Sequence, residues 1–464
     1  MGFAQQLDET VERIIDEAIE FFMASRGWQR NFHGNYEQWP ATNGAEITPP
    51  GSPSRTSGGQ VLSGGLPGYA DGLDHGSGPN AGSQVYGYFE TTIRDLFRPW
   101  RSIPDPADFD AYLDQVRDAA WYVSLTSAAD RVSSVGNAAL DTVGYLQEKI
   151  GGENMRGATI FAFDQNFCTP LPTVLHGQYA VALLAGVTLC GEKEIWAKAR
   201  EDVHAIADKM HAAMKDRGSA VADLGTITAL FALAAAFPTP AQPILAGVGA
   251  ALPALETLLH AGDEPNKQPV EFAGGTPEKV IASAGEALKT LARTIRDCED
   301  DIKGKIKDGM DTVTRRSKSF AMPKPALLEA LDVSGIKVDL EVLHFLATDT
   351  LPQIEKQINE GADLVYWGSM CGAAWYRPSD LGVSDTTDGP FPAWQELAAL
   401  AGNLMSDLAW EVKESAAHLQ IAADRHGRTE AEITESLRRH AKKLEGFAGH
   451  DPIGTPTRWL NEHP

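Results

Sequence analysis

The side chains best suited to chemistry are spread thinly along this sequence. Its four cysteines are never spaced as Cys-x-x-Cys, the spacing of zinc knuckles and dithiol redox pairs. They are Cys168, Cys190, Cys298 and Cys371. The sequence also contains no Gly-x-Ser-x-Gly, no His-Glu-x-x-His, no Gly-Lys-Ser/Thr phosphate loop and no strand followed by Gly-x-Gly-x-x-Gly. We therefore predict no catalytic residue, no metal and no cofactor.

Two small groups of polar residues are weaker candidates for a metal site. His204 and His211 share one face of a predicted helix, but two such ligands need help from another helix, so a surface or partner contact is favoured. Asp71, Asp74 and His75 lie in a glycine-rich loop, and their spacing fits no calcium-binding loop. An enzyme with its site in this loop stays an alternative, since loops held by rigid helices often carry sites.

Composition excludes several classes of function. Lysine plus arginine is 40 and aspartate plus glutamate is 63, which gives a net charge of −23 for 464 residues. Such an acidic chain lacks the basic surface that displaces counterions from nucleic acids, and it is not attracted to anionic lipid by charge. A hydrophobic fraction of 43% is ordinary for a globular protein, and four cysteines are too few for a disulfide scaffold.

Hydrophobic periodicity predicts an all-α fold of long antiparallel helices in bundle and hairpin modules. The expected modules are an amphipathic N-terminal helix over 1–38, an irregular Gly/Pro-rich loop over 39–98, a helical bundle over 99–218, an apolar helical hairpin over 219–262, a long amphipathic helix over 263–322 and a C-terminal helical hairpin over 323–464.

Local signals refine this outline. Gly191 is expected to separate two helices within 174–217. Thr276 and Pro277 form a favourable start for the long helix of the fifth module. Pro352 is a candidate bend in the first helix of the C-terminal hairpin, and strand signals are nearly absent from the whole chain.

The uncharged segment 224–255 is interrupted by prolines, which favours a buried helical hairpin. The alternative is a hairpin that inserts into a membrane, which its small residues would allow by letting two helices approach closely. Its large apolar residues include Leu224, Leu230, Phe231, Phe237, Ile244, Leu245 and Leu252.

The C-terminal module carries a recognisable pattern. A predicted helix ends in Val365-Tyr366-Trp367-Gly368, a loop follows, and a long helix contains His426 and Glu430. This region resembles the WxG-type substrates of the type VII (ESX) secretion systems of actinobacteria. The resemblance implies a two-helix hairpin with Trp367 and Gly368 at its turn, although here no residue separates them. It also implies an export signal in which His426 replaces the tyrosine and Glu430 supplies the acidic residue.

The resemblance leads to our main hypothesis, a non-enzymatic helical protein secreted by, or associated with, a type VII system. Its expected partners are a helical secretion partner or chaperone, a second copy of the chain in a homo-oligomer, and a membrane contacted through the apolar hairpin, but no nucleic acid. The expected location is secreted or at the cell surface without a signal peptide, because the N-terminus lacks a basic and apolar leader; the cytoplasm is the alternative. The long apolar stripes and the apolar hairpin also fit a membrane-inserting, pore-forming protein or a structural subunit of a phage or filament.

Overall fold

The computed structural model describes residues 2–32, 36–38, 46–47, 81–125, 136–152, 155, 158–218, 220–224, 268–322, 339–383 and 386–424. These residues are predominantly helical, which confirms the predicted all-α class. The α-helices, in chain order, are α1 (Phe3–Ser25), α2 (Ala81–Phe97), α3 (Asp110–Tyr122), α4 (Thr142–Ile150), α5 (Ala158–Phe163), α6 (Leu171–Asp216), α7 (Pro277–Arg315), α8 (Leu340–Phe345), α9 (Leu351–Ser369) and α10 (Phe391–Asp424).

Helix α1 buries the apolar stripe that its sequence predicts. Leu7, Val11, Ile14 and Ala18 are almost fully buried, and the helix packs against α6 and α2. It ends at Ser25, earlier than the 1–38 boundary, because Gly27 adopts a positive φ of 78° that an α-helix cannot contain. Three very short antiparallel strands follow, β1 (Trp28–Arg30), β2 (Tyr36–Gln38) and β3 (Glu46–Ile47).

The prediction of an irregular loop over 39–98 is wrong at its C-terminal end, where α2 forms. This helix buries Val85, Phe89, Ile93 and Phe97, which recur at every fourth residue. The glycine-rich composition of the preceding sequence obscured this stripe. Asp71, Asp74 and His75 lie outside the described residues.

Helix α6 runs through the centre of the protein without a break, so the predicted interruption at Gly191 is wrong. It packs against α1, α3, α7 and α10, and nearly all of its residues from Tyr179 to Glu192 are buried. Glycine disfavours a helix interior by only about 1 kcal/mol, which burial on all sides outweighs. Among the described residues, Ile160–Asp216 is the one helical stretch long and apolar enough to cross a membrane, and 89% of its most apolar window is buried inside the protein. That degree of burial is typical of a core helix.

Two strands connect α6 to α7. Strands β4 (Ala220–Leu224) and β5 (Gln268–Phe272) pair antiparallel, with Leu224 opposite Gln268. Leu224 therefore lies in a strand and not in the predicted apolar hairpin, since pairing with β5 satisfies its backbone in an extended conformation. The other named residues of that hairpin, Leu230, Phe231, Phe237, Ile244, Leu245 and Leu252, lie outside the described residues.

Helix α7 begins as its sequence predicts. The hydroxyl of Thr276 accepts a hydrogen bond from the backbone N–H of Lys279 at 3.4 Å, and Pro277 occupies the first turn. The helix occupies only 277–315 of the module expected over 263–322, since β5 precedes it and a short turn follows at Ser317–Ser319. Its buried stripe, which includes Val280, Leu291 and Ile302, packs on α6.

The C-terminal module is a helical hairpin in which α9 packs against α10 and, on another side, against α3. Between α8 and α9 the helix widens into a π turn at Leu346–Thr350. Pro352 follows in the first turn of α9, and the π turn accommodates the hydrogen bond that proline cannot donate. The irregularity is therefore located just before the predicted bend.

Candidate functional site

The end of the C-terminal hairpin is the candidate site, and Trp367 is its largest exposed side chain. Trp367 and Gly368 lie in the last turn of α9, just before the connection to α10. The Trp367 side chain is 55% exposed, whereas Gly368 is buried. The ring of Tyr366 contacts that of Trp367 edge to face, with centroids 5.2 Å apart. The structure thus places this predicted pair at the hairpin end, with the tryptophan facing outward.

Glycines on α9 explain this orientation. A Cβ at Gly368 would lie 2.6 Å from Cγ2 of Val116 on α3, and one at Gly361 would lie 3.2 Å from the carbonyl oxygen of Ala119. Helix α3 therefore approaches α9 so closely that any side chain at position 368 would displace Val116. This close packing fixes the rotation of α9 about its axis and directs the neighbouring Trp367 to the outside.

Trp367 belongs to an exposed stripe that runs along α9 and ends at Met370, the residue that follows the helix. The stripe consists of Lys356, Glu360, Asp363, Trp367 and Met370, which follow one another at alternating steps of four and three residues. That spacing places all five side chains on one face of the helix. Met370 is 51% exposed, so two large apolar side chains end a stripe that is otherwise charged.

The connection between α9 and α10 is anchored by aromatic packing. Trp375 is completely buried, and its ring centroid lies 5.7 Å from that of Phe109 and 6.0 Å from that of Trp394. The indole N–H of Trp375 contacts Sγ of Cys371 at 3.2 Å. The indole N–H of Trp394 donates to the carbonyl oxygen of Ala185 on α6 at 2.8 Å. These contacts attach the hairpin end to the protein core.

A buried group of charged residues anchors the same connection. Arg377 donates from both terminal nitrogens to the two carboxylate oxygens of Glu299 on α7, at 2.8 Å for the Nη2 contact. Glu192 on α6 is the third ionisable member, and Trp196 contributes an indole N–H to Oε1 of Glu192 at 2.7 Å. We call these four residues the Arg377 cluster. Its three ionisable side chains are each at most 1% exposed.

The surrounding backbone is shaped to hold the guanidinium. The N–H of Arg377 donates to the carbonyl oxygen of Thr387 at 3.0 Å. Gly389 has a positive φ of 56°, and a Cβ there would lie 2.5 Å from Nη1 of Arg377. From α7, Arg296 donates to the carbonyl oxygens of Gly382 and Val383. The first two contacts fold the connection around Arg377, and the Arg296 contacts tie the connection to α7.

Burial dominates the electrostatics of the Arg377 cluster. Desolvation raises the pKa of the Glu192 carboxyl well above its usual value, and the nearby charge of Glu299 raises it further. Arg377, the Trp196 hydrogen bond and Lys303 act in the opposite direction but do not offset burial. Desolvation also raises the pKa of Glu299, against the opposing charge of Arg377. Buried carboxyl groups with strongly raised pKa values are enriched at functional sites, where gain or loss of a proton changes the local structure or chemistry.

A second perturbed carboxyl lies on α10. Burial raises the pKa of Glu411 to about 7, and the charges of Asp407 and Glu414 on the same helix face add to the effect. Three acidic side chains at this spacing repel one another when all are ionised. Glu411 is therefore a group whose charge changes near neutral pH.

The other candidates for chemistry lack a supporting geometry. None of the four cysteines, all of which lie in the described part of the chain, forms a disulfide, and burial raises the pKa of each thiol, to about 11 for Cys190 and to about 12 for Cys298 and Cys371. Such thiols are poor nucleophiles because the reactive thiolate is scarce at neutral pH. His204 borders an open polar groove of about 650 Å³ between α1 and α6, and burial lowers its pKa. Within the described part of the chain, no three His, Cys, Asp or Glu side chains are grouped to hold a metal ion, so His204 and His211 acquire no further ligand.

The remaining predicted site residues cannot be placed. His426 and Glu430 follow Asp424, the last described residue, and lie outside the described part of the chain. Comparison of the chain with models of known families, with curated proteins and with solved structures finds no match in any of the three.

Proposed function

We propose that the chain is a non-enzymatic helical protein, secreted by or associated with a type VII secretion system, that acts through protein–protein contacts at its C-terminal hairpin. The observation that carries this proposal is the outward-facing Trp367 beside the buried Gly368. Tryptophan is enriched at the centres of protein interfaces, where burial of its large ring contributes much of the binding energy. A helical secretion partner or chaperone packed on the α9 stripe would bury this ring.

The fold supports contact through a preformed surface. The aromatic packing of Trp375 and the Arg377 cluster hold the hairpin end in place, so a partner would meet an ordered stripe. A preordered surface loses less conformational entropy on binding than a flexible one. In this proposal the type VII system carries the protein to the cell surface or the medium, and Glu430 contributes to the export signal.

Export of tryptophan variants tests the role of the stripe. We expect Trp367→Ala to reduce export and partner binding, because it removes the exposed ring without altering the core. Trp121→Ala is the matched control, since Trp121 is also exposed, at 43%, but lies on α3. Glu430→Ala should reduce export as well. Equal export of the wild type, both tryptophan variants and Glu430→Ala would refute the proposal.

A second candidate function is insertion of the apolar segment into a membrane, and the β4–β5 pairing favours it. Residue 224 pairs with residue 268, so the chain leaves and re-enters the fold at one place on either side of the segment 225–267. A membrane-inserting hairpin needs this arrangement, because both of its ends must stay on the same side of the bilayer. Helices also satisfy their own backbone hydrogen bonds in lipid.

Leakage from lipid vesicles tests this second candidate. We expect the wild-type chain to release a dye from phosphatidylcholine vesicles, and Phe231→Asp to release less, because a charge in the apolar segment opposes insertion. The same assay is repeated with vesicles that contain anionic lipid, and in buffers at pH 5 and pH 7, because the negative charge of the chain depends on pH and repels anionic lipid. Absence of leakage under all of these conditions would exclude the membrane function.

A further inference from the structure

The Arg377 cluster joins three segments that are distant in sequence. Glu192 lies on the central helix α6, Glu299 on α7, and Arg377 on the connection between α9 and α10. None of its ionisable side chains reaches solvent. Charges held in such an environment must balance closely, because an uncompensated buried charge is strongly destabilising.

Charge balance requires one proton in this cluster. With both carboxyl groups ionised, two negative charges face the single guanidinium of Arg377. With both carboxyl groups protonated, the guanidinium has no counterion. Lys303 on α7 also acts on Glu192, but it forms its own ion pair with Asp300 at 3.1 Å and its side chain is 38% exposed. The neutral state therefore has one ionised and one protonated carboxyl group.

Hydrogen bonding identifies the protonated group as Glu192. Both carboxylate oxygens of Glu299 accept hydrogen bonds from Arg377, as an ionised carboxylate requires. Glu192 receives one hydrogen bond, from Trp196 to Oε1, and its buried Oε2 has no hydrogen-bond partner. An ionised carboxylate has about four acceptor positions, and leaving most of them empty in the core is costly. A protonated carboxyl group leaves fewer acceptor positions empty than an ionised one, so the proton belongs on Glu192.

We propose that the Arg377 cluster is a proton-dependent latch, which holds the 370–390 connection on α6 and α7 while Glu192 carries a proton and releases it when that proton is lost. The latch and its tests do not require the proposed secretion function to be correct. The charged groups that face Glu192 are Glu299 and Lys303 from α7 and Arg377 from the connection. Loss of the proton adds a second negative charge opposite one guanidinium, which favours opening of the connection toward water.

The direction of the pH dependence follows from the raised pKa of Glu192. A carboxyl that holds its proton more tightly in the folded state stabilises the fold at low pH, and this stability is lost as the pH rises above the unfolded pKa. Between the pKa of Glu192 in the unfolded chain and its higher pKa in the folded protein, each pH unit lowers the wild-type folding constant about tenfold. Glutamine mimics the protonated carboxyl and cannot ionise, so Glu192→Gln should remove this dependence.

Urea unfolding of the full chain between pH 5 and pH 9 tests the protonation state. We expect Glu192→Gln to match the wild type within about fivefold in unfolding constant at pH 5, and we expect the difference between the two proteins to be at least tenfold larger at pH 9. Glu360→Gln, on the exposed stripe of α9, is the control and should show the wild-type pH dependence. A Glu192→Gln variant that is less stable than the wild type across this range would show an ionised Glu192 and overturn the proposal.

A second variant separates the latch from a merely structural role. In a Glu299→Gln background, Glu192 is the remaining carboxyl near Arg377 and should take over as its counterion. Glu192→Gln should then lower stability at pH 9, which reverses its effect in the wild-type background. An unchanged sign of the Glu192→Gln effect would contradict the sharing of one proton between the two carboxyl groups.

Amide hydrogen exchange reports the release itself. After correction for the intrinsic pH dependence of exchange, amides in 376–383 and 386–389 should lose protection in the wild type between pH 6 and pH 9. The same amides should stay protected in Glu192→Gln, and α1 amides serve as an internal reference. Equal amide protection at both pH values in the wild type would overturn the proposal of a proton-dependent latch. An equal loss of protection in the wild type and in Glu192→Gln would also overturn it.

Discussion

Glu411→Gln should stabilise the protein markedly in mildly alkaline buffer and much less at pH 5. Burial, aided by Asp407 and Glu414, raises the pKa of Glu411 from 4.5 to about 7 in the folded protein. The unfolded chain releases this proton near pH 4.5, whereas the folded chain keeps it up to about pH 7. Folding at higher pH therefore includes proton uptake, and the wild type loses stability as the pH rises through this interval.

The size of the effect follows from the shift of about 2.5 pKa units between 4.5 and about 7. At 1.36 kcal/mol per unit, Glu411 lowers wild-type stability by about 3 kcal/mol at pH 8 and by about 1 kcal/mol at pH 5. Glutamine has nearly the same shape as glutamic acid and cannot ionise. Glu411→Gln should therefore be more stable than the wild type by about these free energies at each pH.

Urea unfolding followed by tryptophan fluorescence at pH 5 and pH 8 measures this difference. Glu396→Gln is the control, because Glu396 is exposed on the same helix and its substitution should change stability by no more than about 0.5 kcal/mol at either pH. An equal effect of Glu411→Gln at the two pH values would refute the reasoning, since a packing change has no such pH dependence.

Four further substitutions test the packing of the hairpin end by the same unfolding assay. Gly368→Ala forces a methyl group against α3 and should destabilise the fold by about 1–3 kcal/mol; unchanged stability would mean that the two helices are further apart. Arg377→Met leaves buried carboxyl groups without their cation and should destabilise by about 3–5 kcal/mol, less at low pH, where protonation removes the unpaired charge. Trp367→Ala should change stability by no more than about 0.5 kcal/mol, whereas Trp375→Ala should destabilise by about 3–5 kcal/mol; similar losses for both would contradict their different burial.

The elements that the sequence predicts well are those specified by local patterns. The buried stripe of α1 and the start of α7 at Thr276 depend on residues within a few turns of each other. The C-terminal hairpin likewise follows from two apolar stripes separated by a loop. Such patterns indicate which face of a helix is buried, but they do not indicate which other element packs against that face.

The errors arise where distant contacts decide the outcome. Gly191 stays helical because four other helices surround α6, and Leu224 is extended because it pairs with a strand far along the chain. The Arg377 cluster was also not predicted, since nothing near Arg377 in the sequence indicates its burial. One signal was present in α7, where Glu299 occupies a position of the apolar stripe between Ile295 and Ile302. A charged residue at such a position predicts a buried counterion, but only the fold identifies it.

The most direct test of the proposed function is the location of the chain in its own host, compared with a strain that lacks the ATPase of the type VII system. Quantitative immunoblots of the culture medium, cell surface and cytosol measure this distribution. We predict that the chain is found in the medium or at the surface of the parent strain and accumulates in the cytosol of the mutant. The same distribution in both strains would contradict a function that depends on this secretion system.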